Sequence, residues 1–147
     1  MRNHHASSFG DFRCGNCGAL VSSMQTQSGV NNRNHCPYCL WSCHLDLYSS
    51  GDRLSACKAK MIPVGLTMKK SRNKYQISPR GELMLVHVCT DCESVSINRI
   101  AADDDPKTIL EVFRNSLNFC LHNEDEISIL RNEDMVIEQL FGMRIPA

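Results

Sequence analysis

Apolar residues in this chain come in short bursts separated by polar turns, a pattern that predicts strands and tight loops for the first hundred residues and helices only after them. Residues 9–23 read as strand, turn and strand, with Cys14-Gly15-Asn16-Cys17 forming the turn. Residues 25–34 are polar, with Gly29 and three asparagines, and predict a loop. In residues 42–48, Leu45 and Leu47 alternate with His44, Asp46 and Tyr48, and a turn follows at 49–52. Residues 61–68 are extended, because Pro63 and Gly65 rule out a regular helix there. Residues 82–88 form the strongest strand signal, and 95–100 read as its hairpin partner across Cys89-Thr90-Asp91-Cys92.

The period changes after Asp103. Asp105 reads as an N-cap with Pro106 at the first helical position, and Ile109, Leu110, Phe113, Leu117 and Leu121 recur at helical spacing, predicting a helix to about Leu121. Residues 127–130 read as a short strand. Residues 133–141 read as a last helix capped by Asn132, with Val136, Ile137, Leu140 and Phe141 on one face. The fold class expected is a small α+β metal-bound domain: zinc-ribbon-like β-hairpins with two zinc sites, plus a C-terminal helical segment. Residues 1–11 read as a polar tail, 12–105 as the two-zinc domain, and 106–147 as a helical extension packed on or beside it.

Composition explains why a metal is needed. In 147 residues only 6% are aromatic, with a single tryptophan, so an apolar core for the first hundred residues would be thin. The chain has nine cysteines instead. Cys14 and Cys17 form one CxxC pair and Cys36 and Cys39 a second, with eighteen residues between them. Two such turns facing each other aim four thiolates at one tetrahedral ion, so these four residues are assigned to a first zinc site. A structural zinc contributes on the order of 10–16 kcal/mol in small zinc peptides, comparable with the whole stability of a domain.

Cys89 and Cys92 form a third pair with no fourth to face it. Cys57 is the natural third thiolate of a second site, and the remaining ligand comes from His44, His87 or Cys43. His44 is preferred because, together with Cys57, it brackets the turn at 49–52; neighbouring Cys43 would point to the opposite face of a strand. The second site is therefore His44, Cys57, Cys89 and Cys92, and two Zn2+ ions per chain are expected. Cys120 falls on the apolar face of a predicted helix and reads as a core residue. The opening residues lack an apolar h-region, which together with the odd cysteine count predicts a cytoplasmic protein with reduced thiols; His4 and His5 read as solvated.

Net charge is zero, but unevenly distributed. Residues 1–81 carry eleven Lys/Arg against three Asp/Glu, a balance of +8, and residues 82–147 carry five against thirteen, a balance of −8. The basic excess lies largely between Lys58 and Arg80, with Tyr75 inside it, and fits an RNA or ribosomal surface. Arg33, Arg53, Lys69, Lys70, Arg72 and Lys74 are the expected phosphate contacts. Arg33, Asn34 and His35 could alternatively hydrogen-bond the loops around the first site, and Asn98-Arg99 could serve either purpose. Asp103-Asp104 reads as a helix-start feature.

The run Arg33-Asn34-His35-Cys36-Pro37 gives its name to the bacterial RNHCP-domain family, which the chain resembles. The likeness extends through Cys39-Leu40-Trp41-Ser42, His44-Leu45-Asp46, Gly51-Asp52-Arg53, Cys57, Met61-Ile62-Pro63-Val64-Gly65, His87-Val88-Cys89, Cys92 and Asn98-Arg99-Ile100-Ala101. It covers roughly residues 12–105 and implies a cysteine-rich, zinc-ribbon-like domain without an assigned activity. Cys43 departs from the family pattern, which favours His44 as the ligand. The expected function is a zinc-stabilised binding module contacting RNA or a ribonucleoprotein such as the ribosome. The alternatives are a protein-interaction adaptor acting through the acidic C-terminal helices, a zinc-dependent enzyme and a thiol redox switch. No HExxH, deaminase or nucleophile-elbow pattern supports the enzyme.

Overall fold

The computed structural model describes residues 11–24, 26, 29–30, 33–46, 54–69, 81–118 and 127–142. Arg53, Lys70, Arg72, Lys74, Tyr75, Cys120 and the turn at 49–52 lie outside them. The fold is α+β, with two cysteine-rich clusters on antiparallel strands followed by helices. Strands β1 (Phe12–Arg13) and β2 (Leu20–Val21) make a minimal hairpin around the first CxxC turn, pairing Phe12 with Val21. Strands β3 (Ser42–Cys43), β4 (Lys60–Lys69), β5 (Glu82–Cys89) and β6 (Val95–Arg99) form an antiparallel sheet in that order.

Strand β5 is central and buried along most of its length, which is why its sequence is a nearly continuous apolar run rather than an alternation. β4 tolerates Pro63 because the register slips between Pro63 and Gly65, so the ladder bond that proline cannot donate is not required. Gly65 has a packing reason as well: a Cβ there would lie 3.2 Å from both Ile129 Cγ2 and Ser116 Cβ. The C-terminal segments therefore press directly on the β4 backbone.

Helix α1 (Pro106–Ser116) starts as its sequence dictates. Asp105 accepts the Lys107 amide at 3.2 Å and the Thr108 hydroxyl at 2.8 Å, and Pro106 occupies the first turn. It ends at Ser116, with Leu117 and Asn118 in a turn; the rest of the stretch expected to be helical, to about Leu121, lies outside the described residues. The Ser116 hydroxyl bonds back to the Phe113 carbonyl, and Arg131 Nη1 takes the Ser116 carbonyl at 2.7 Å, so side chains satisfy carbonyls at the end of the helix. Helix α2 (Glu133–Phe141) runs from an Asn132 cap to Gly142, whose φ of 66° closes it in the left-handed region.

Residues 127–130 do not form a strand. The Leu130 amide donates to the Leu66 carbonyl at 2.7 Å and Thr67 Oγ1 to the Ser128 carbonyl at 2.7 Å, so this segment runs beside β4 without a continuing ladder. The main core joins sheet and helices: Leu40, Leu66, Leu83, Leu85, Ile109, Val112, Phe113 and Val136 pack together. Leu40 belongs to the second CxxC turn, so this core reaches the first cysteine cluster. No helix among the described residues is long and apolar enough to cross a membrane.

Candidate metal centres

Three CxxC turns repeat one backbone design. Cys14 donates its amide to Ala19 O and receives Gly18 N; Cys36 does the same with Trp41 O and Leu40 N, and Cys89 with Ser94 O and Glu93 N, all at 2.8–3.1 Å. In each, the residue after the second cysteine has positive φ: 79° at Gly18, 66° at Leu40 and 63° at Glu93. Only Gly18 adopts this region without steric cost; a side chain there costs roughly 1–2 kcal/mol. The turn aims amides at sulfur. Cys14 Sγ accepts from Asn16 N at 3.4 Å and Cys17 N at 3.5 Å, and Cys36 Sγ from Tyr38 N at 3.4 Å.

The first two turns face each other, and the ligand atoms of Cys14, Cys17, Cys36 and Cys39 all lie within 4.8 Å of one another. Sulfur separations are 3.5 Å for Cys14–Cys39 and 3.7 Å for Cys17–Cys36. A tetrahedron with Zn–S bonds of about 2.3 Å has edges of about 3.8 Å, so the spacing fits a four-thiolate zinc shell. It does not fit disulfides, which bring sulfurs to about 2.05 Å, and these cysteines are free.

The second cluster gathers His44, Cys57, Cys89 and Cys92 within the same 4.8 Å limit. Cys57 and Cys89 sulfurs are 3.6 Å apart, and Cys92 Sγ is 3.4 Å from His44 Nδ1. The edge expected between a sulfur and an imidazole nitrogen on zinc is about 3.6 Å. One half of this centre is the Cys89–Cys92 turn. The other is assembled from two segments, with the His44 amide on Ala59 O at 2.9 Å and the Lys58 amide on His44 O at 3.1 Å. Lys58, directly after a ligand, has a φ of 52°, so this half also sets a left-handed residue next to its thiol.

The two other candidates for this place are used elsewhere. Cys43 Sγ donates to the Lys58 carbonyl at 3.3 Å. His87 is fully buried; its Nδ1 accepts Asn98 Nδ2 at 2.8 Å, so its Nε2 carries the proton donated to the Leu40 carbonyl at 2.7 Å. Burial above all holds this imidazole neutral, lowering its pKa to about 3 despite the Leu40 bond. His87 thereby ties β5 to the second CxxC turn, and Asn98 serves that tie, whereas Arg99 grips Glu82 at 2.8 and 3.1 Å.

Electrostatics within the clusters call for a cation. Burial is the leading influence on Cys36 and pushes its thiol up to about 12. Burial acts the same way on Cys14, but the amides of Cys17 and Asn16, with bonds to Cys39 and Cys17, outweigh it and bring the thiol down to about 7. Cys92 falls to about 6, chiefly through the Ser94 hydroxyl 3.1 Å away and then the Ser94 amide. Crowded thiols cannot all ionise beside one another; a divalent ion in their midst removes that conflict.

Arg33 requires a correction. Expected to contact phosphate, its side chain has no exposed surface. Nη1 reaches Asp103 at 2.8 Å and the Ser22 carbonyl at 3.2 Å, Nη2 reaches Asp104 at 3.1 Å, and Nε donates to the His35 carbonyl at 3.0 Å. Asp104 also meets His35 Nε2 at 2.6 Å and the Ala101 amide at 2.8 Å. The acidic pair before α1 is thus more than a helix-start feature: Asp104 is the buried counter-charge of the arginine. Of the other expected phosphate contacts, Lys69 is exposed at the end of β4; Arg53, Lys70, Arg72 and Lys74 lie outside the described residues.

The model of the RNHCP domain matches residues 9–110. The chain belongs to the RNHCP-domain family. The matched span contains both cysteine clusters and the Arg33–Asp104 ion pair, and it ends inside α1. No curated protein and no solved structure matches significantly. In this RNHCP domain the residues behind the name act together: Cys36 enters the first cluster, Arg33 and His35 reach the acids before α1, and the Pro37 carbonyl accepts the Asp105 amide at 3.1 Å.

Proposed function

We propose that this chain is a binding module held together by two structural zinc ions, with RNA or a ribonucleoprotein as its partner. The observation that carries the metal part is the presence of two four-donor clusters with tetrahedral spacing. Cys14, Cys17, Cys36 and Cys39 would hold one ion and His44, Cys57, Cys89 and Cys92 the other. Each ion would supply cross-linking between distant strands; with four protein donors per ion, no position remains for an activated water.

Support for an RNA partner comes from the basic run between Lys58 and Arg80. Of its cations, Lys58, Lys60 and Lys69 are among the described residues and all three are exposed, which is what phosphate contacts would require. Arg33 is no part of that surface.

Two measurements test the proposal. Native mass spectrometry should find two zinc ions per chain and one after Cys57→Ser; a metal-free folded chain would refute the structural part. Filter binding should show RNA affinity that falls steeply with salt and weakens when Lys69, Lys70, Arg72 and Lys74 are neutralised. Salt-insensitive binding, or none, would remove the partner.

A further inference from the structure

The two centres differ in how they shelter their sulfurs. In the first, Cys36 is fully buried, Cys14 is 6% exposed, Cys39 is half-buried and Cys17 is the one exposed thiol. In the second, Cys57 and Cys92 are both exposed and only Cys89 is buried. Cys57 is also the one cysteine of the eight donors that belongs to no CxxC turn; it sits on the irregular stretch between Leu54 and Ala59. Its sulfur lies 3.6 Å from that of Cys89; Cys92 Sγ also interacts with these two sulfurs but is held in addition by His44 Nδ1 at 3.4 Å and Ser94 Oγ at 3.1 Å.

We propose that the second centre is an oxidation site for hydroperoxides, with Cys57 as the sulfur that meets the oxidant from solvent and Cys89 as the sulfur that closes a disulfide on it. The inference rests on the reading of both clusters as zinc centres. Thiolates, even metal-bound ones, are nucleophiles whose reaction with oxidants follows exposure. Cys57 sulfur attacks one peroxide oxygen and breaks the O–O bond, giving a sulfenic acid and hydroxide. Cys89 sulfur then displaces the sulfenic hydroxyl as a second hydroxide and forms the S–S bond. Two thiolates lose two electrons in total, and the peroxide takes them up.

The geometry suits the second step. The two sulfurs must approach by about 1.5 Å to reach a disulfide bond length, and Cys57 is on the side with the less regular backbone. A disulfide withdraws two of four donors and leaves His44 and Cys92, too few for a structural zinc shell. The second ion is therefore released. The first stays, since Cys14 and Cys36 are sheltered and their sulfurs are engaged by the amides of Asn16, Cys17 and Tyr38. Oxidation thus separates the two ions and loosens the edge of the sheet where β3, β4 and the Cys89–Cys92 turn meet.

The test uses the zinc-loaded full chain treated with hydrogen peroxide. A metallochromic dye reads released zinc, and peptide mapping without reduction reads the cross-link. The expected result is release of one of two ions, a Cys57–Cys89 disulfide, and recovery of both on adding dithiothreitol and zinc. Cys43→Ser, which removes the neighbouring thiol without touching a donor, should release the same amount. Earlier loss of the first ion, a cross-link among Cys14, Cys17, Cys36 and Cys39, or a disulfide to Cys43 overturns the proposal. Retention of both ions with no disulfide overturns it too, while leaving the zinc reading intact. A chain that holds no zinc before treatment overturns both.

Discussion

Removing the carboxylate of Asp104 should cost more stability than any change to an exposed charge in this chain. That carboxylate has no exposed surface and accepts Arg33 Nη2 at 3.1 Å, His35 Nε2 at 2.6 Å and the Ala101 amide at 2.8 Å. Breaking a buried ion pair by deleting one partner costs roughly 3–5 kcal/mol, mostly because the other charge stays desolvated. Asp103, 2.8 Å from Nη1 and 20% exposed, still offsets part of the Arg33 charge. The expected loss for Asp104→Ala is therefore near the lower end, about 3 kcal/mol, a large part of the 5–15 kcal/mol typical of a domain. Arg33→Met should cost a similar amount, leaving Asp104 with His35 and the Ala101 amide.

The double variant Arg33→Met with Asp104→Leu removes both charges and should be more stable than the sum of the single losses predicts. The assay is urea unfolding followed by circular dichroism at a fixed, saturating free zinc concentration, so that metal loss does not mix with unfolding. A loss under about 1 kcal/mol for Asp104→Ala, or additive single losses, would refute the buried-pair argument. Were Arg33 a phosphate contact instead, Arg33→Met would weaken RNA binding and leave the unfolding midpoint alone.

The buried His87 should stay neutral well into acid. With the folded value near 3 and the unfolded one near 6.5, its contribution to stability is complete above pH 6.5 and is lost as the pH falls toward 3. Imidazole NMR shifts should show a neutral ring down to about pH 5; a titration midpoint near the unfolded value would contradict the burial. Gly65→Ala places a methyl 3.2 Å from Ile129 Cγ2 and Ser116 Cβ, so it should lower the unfolding midpoint by the equivalent of about 1–3 kcal/mol, and an unchanged midpoint would show that the segment after α1 yields freely.

What the sequence made legible was local. CxxC spacing points to four donors at one place because each turn spans only four residues and carries its own amide-to-sulfur bonds. The β5–β6 hairpin, the Asp105 and Asn132 caps and the Gly142 stop are likewise decided by neighbours in the chain. The fate of Arg33 was not legible, because its counter-charges are 70 and 71 positions away. An arginine at the end of a polar loop looks like a surface residue until the fold brings the segment before α1 against it. One signal was available: two consecutive acids before an N-cap are more than a helix start needs. The helix limit at Ser116 and the irregular run at 127–130 also depended on tertiary partners, Arg131 in one case and the β4 backbone in the other.

The left-handed turn at Leu40 links chelation to the interior of the protein. A leucine keeps φ near 66° here because Cys39 on one side is tethered to the first cluster and its own carbonyl is caught by His87. Its side chain, meanwhile, fills the same oily interior as Phe113 and Leu85. Stripping the first ion would free this residue to relax toward an ordinary backbone angle, and that rotation would carry its isobutyl group out from under the helices. Demetallation would then be felt as lost hydrophobic contact in the core that the sheet shares with the helices.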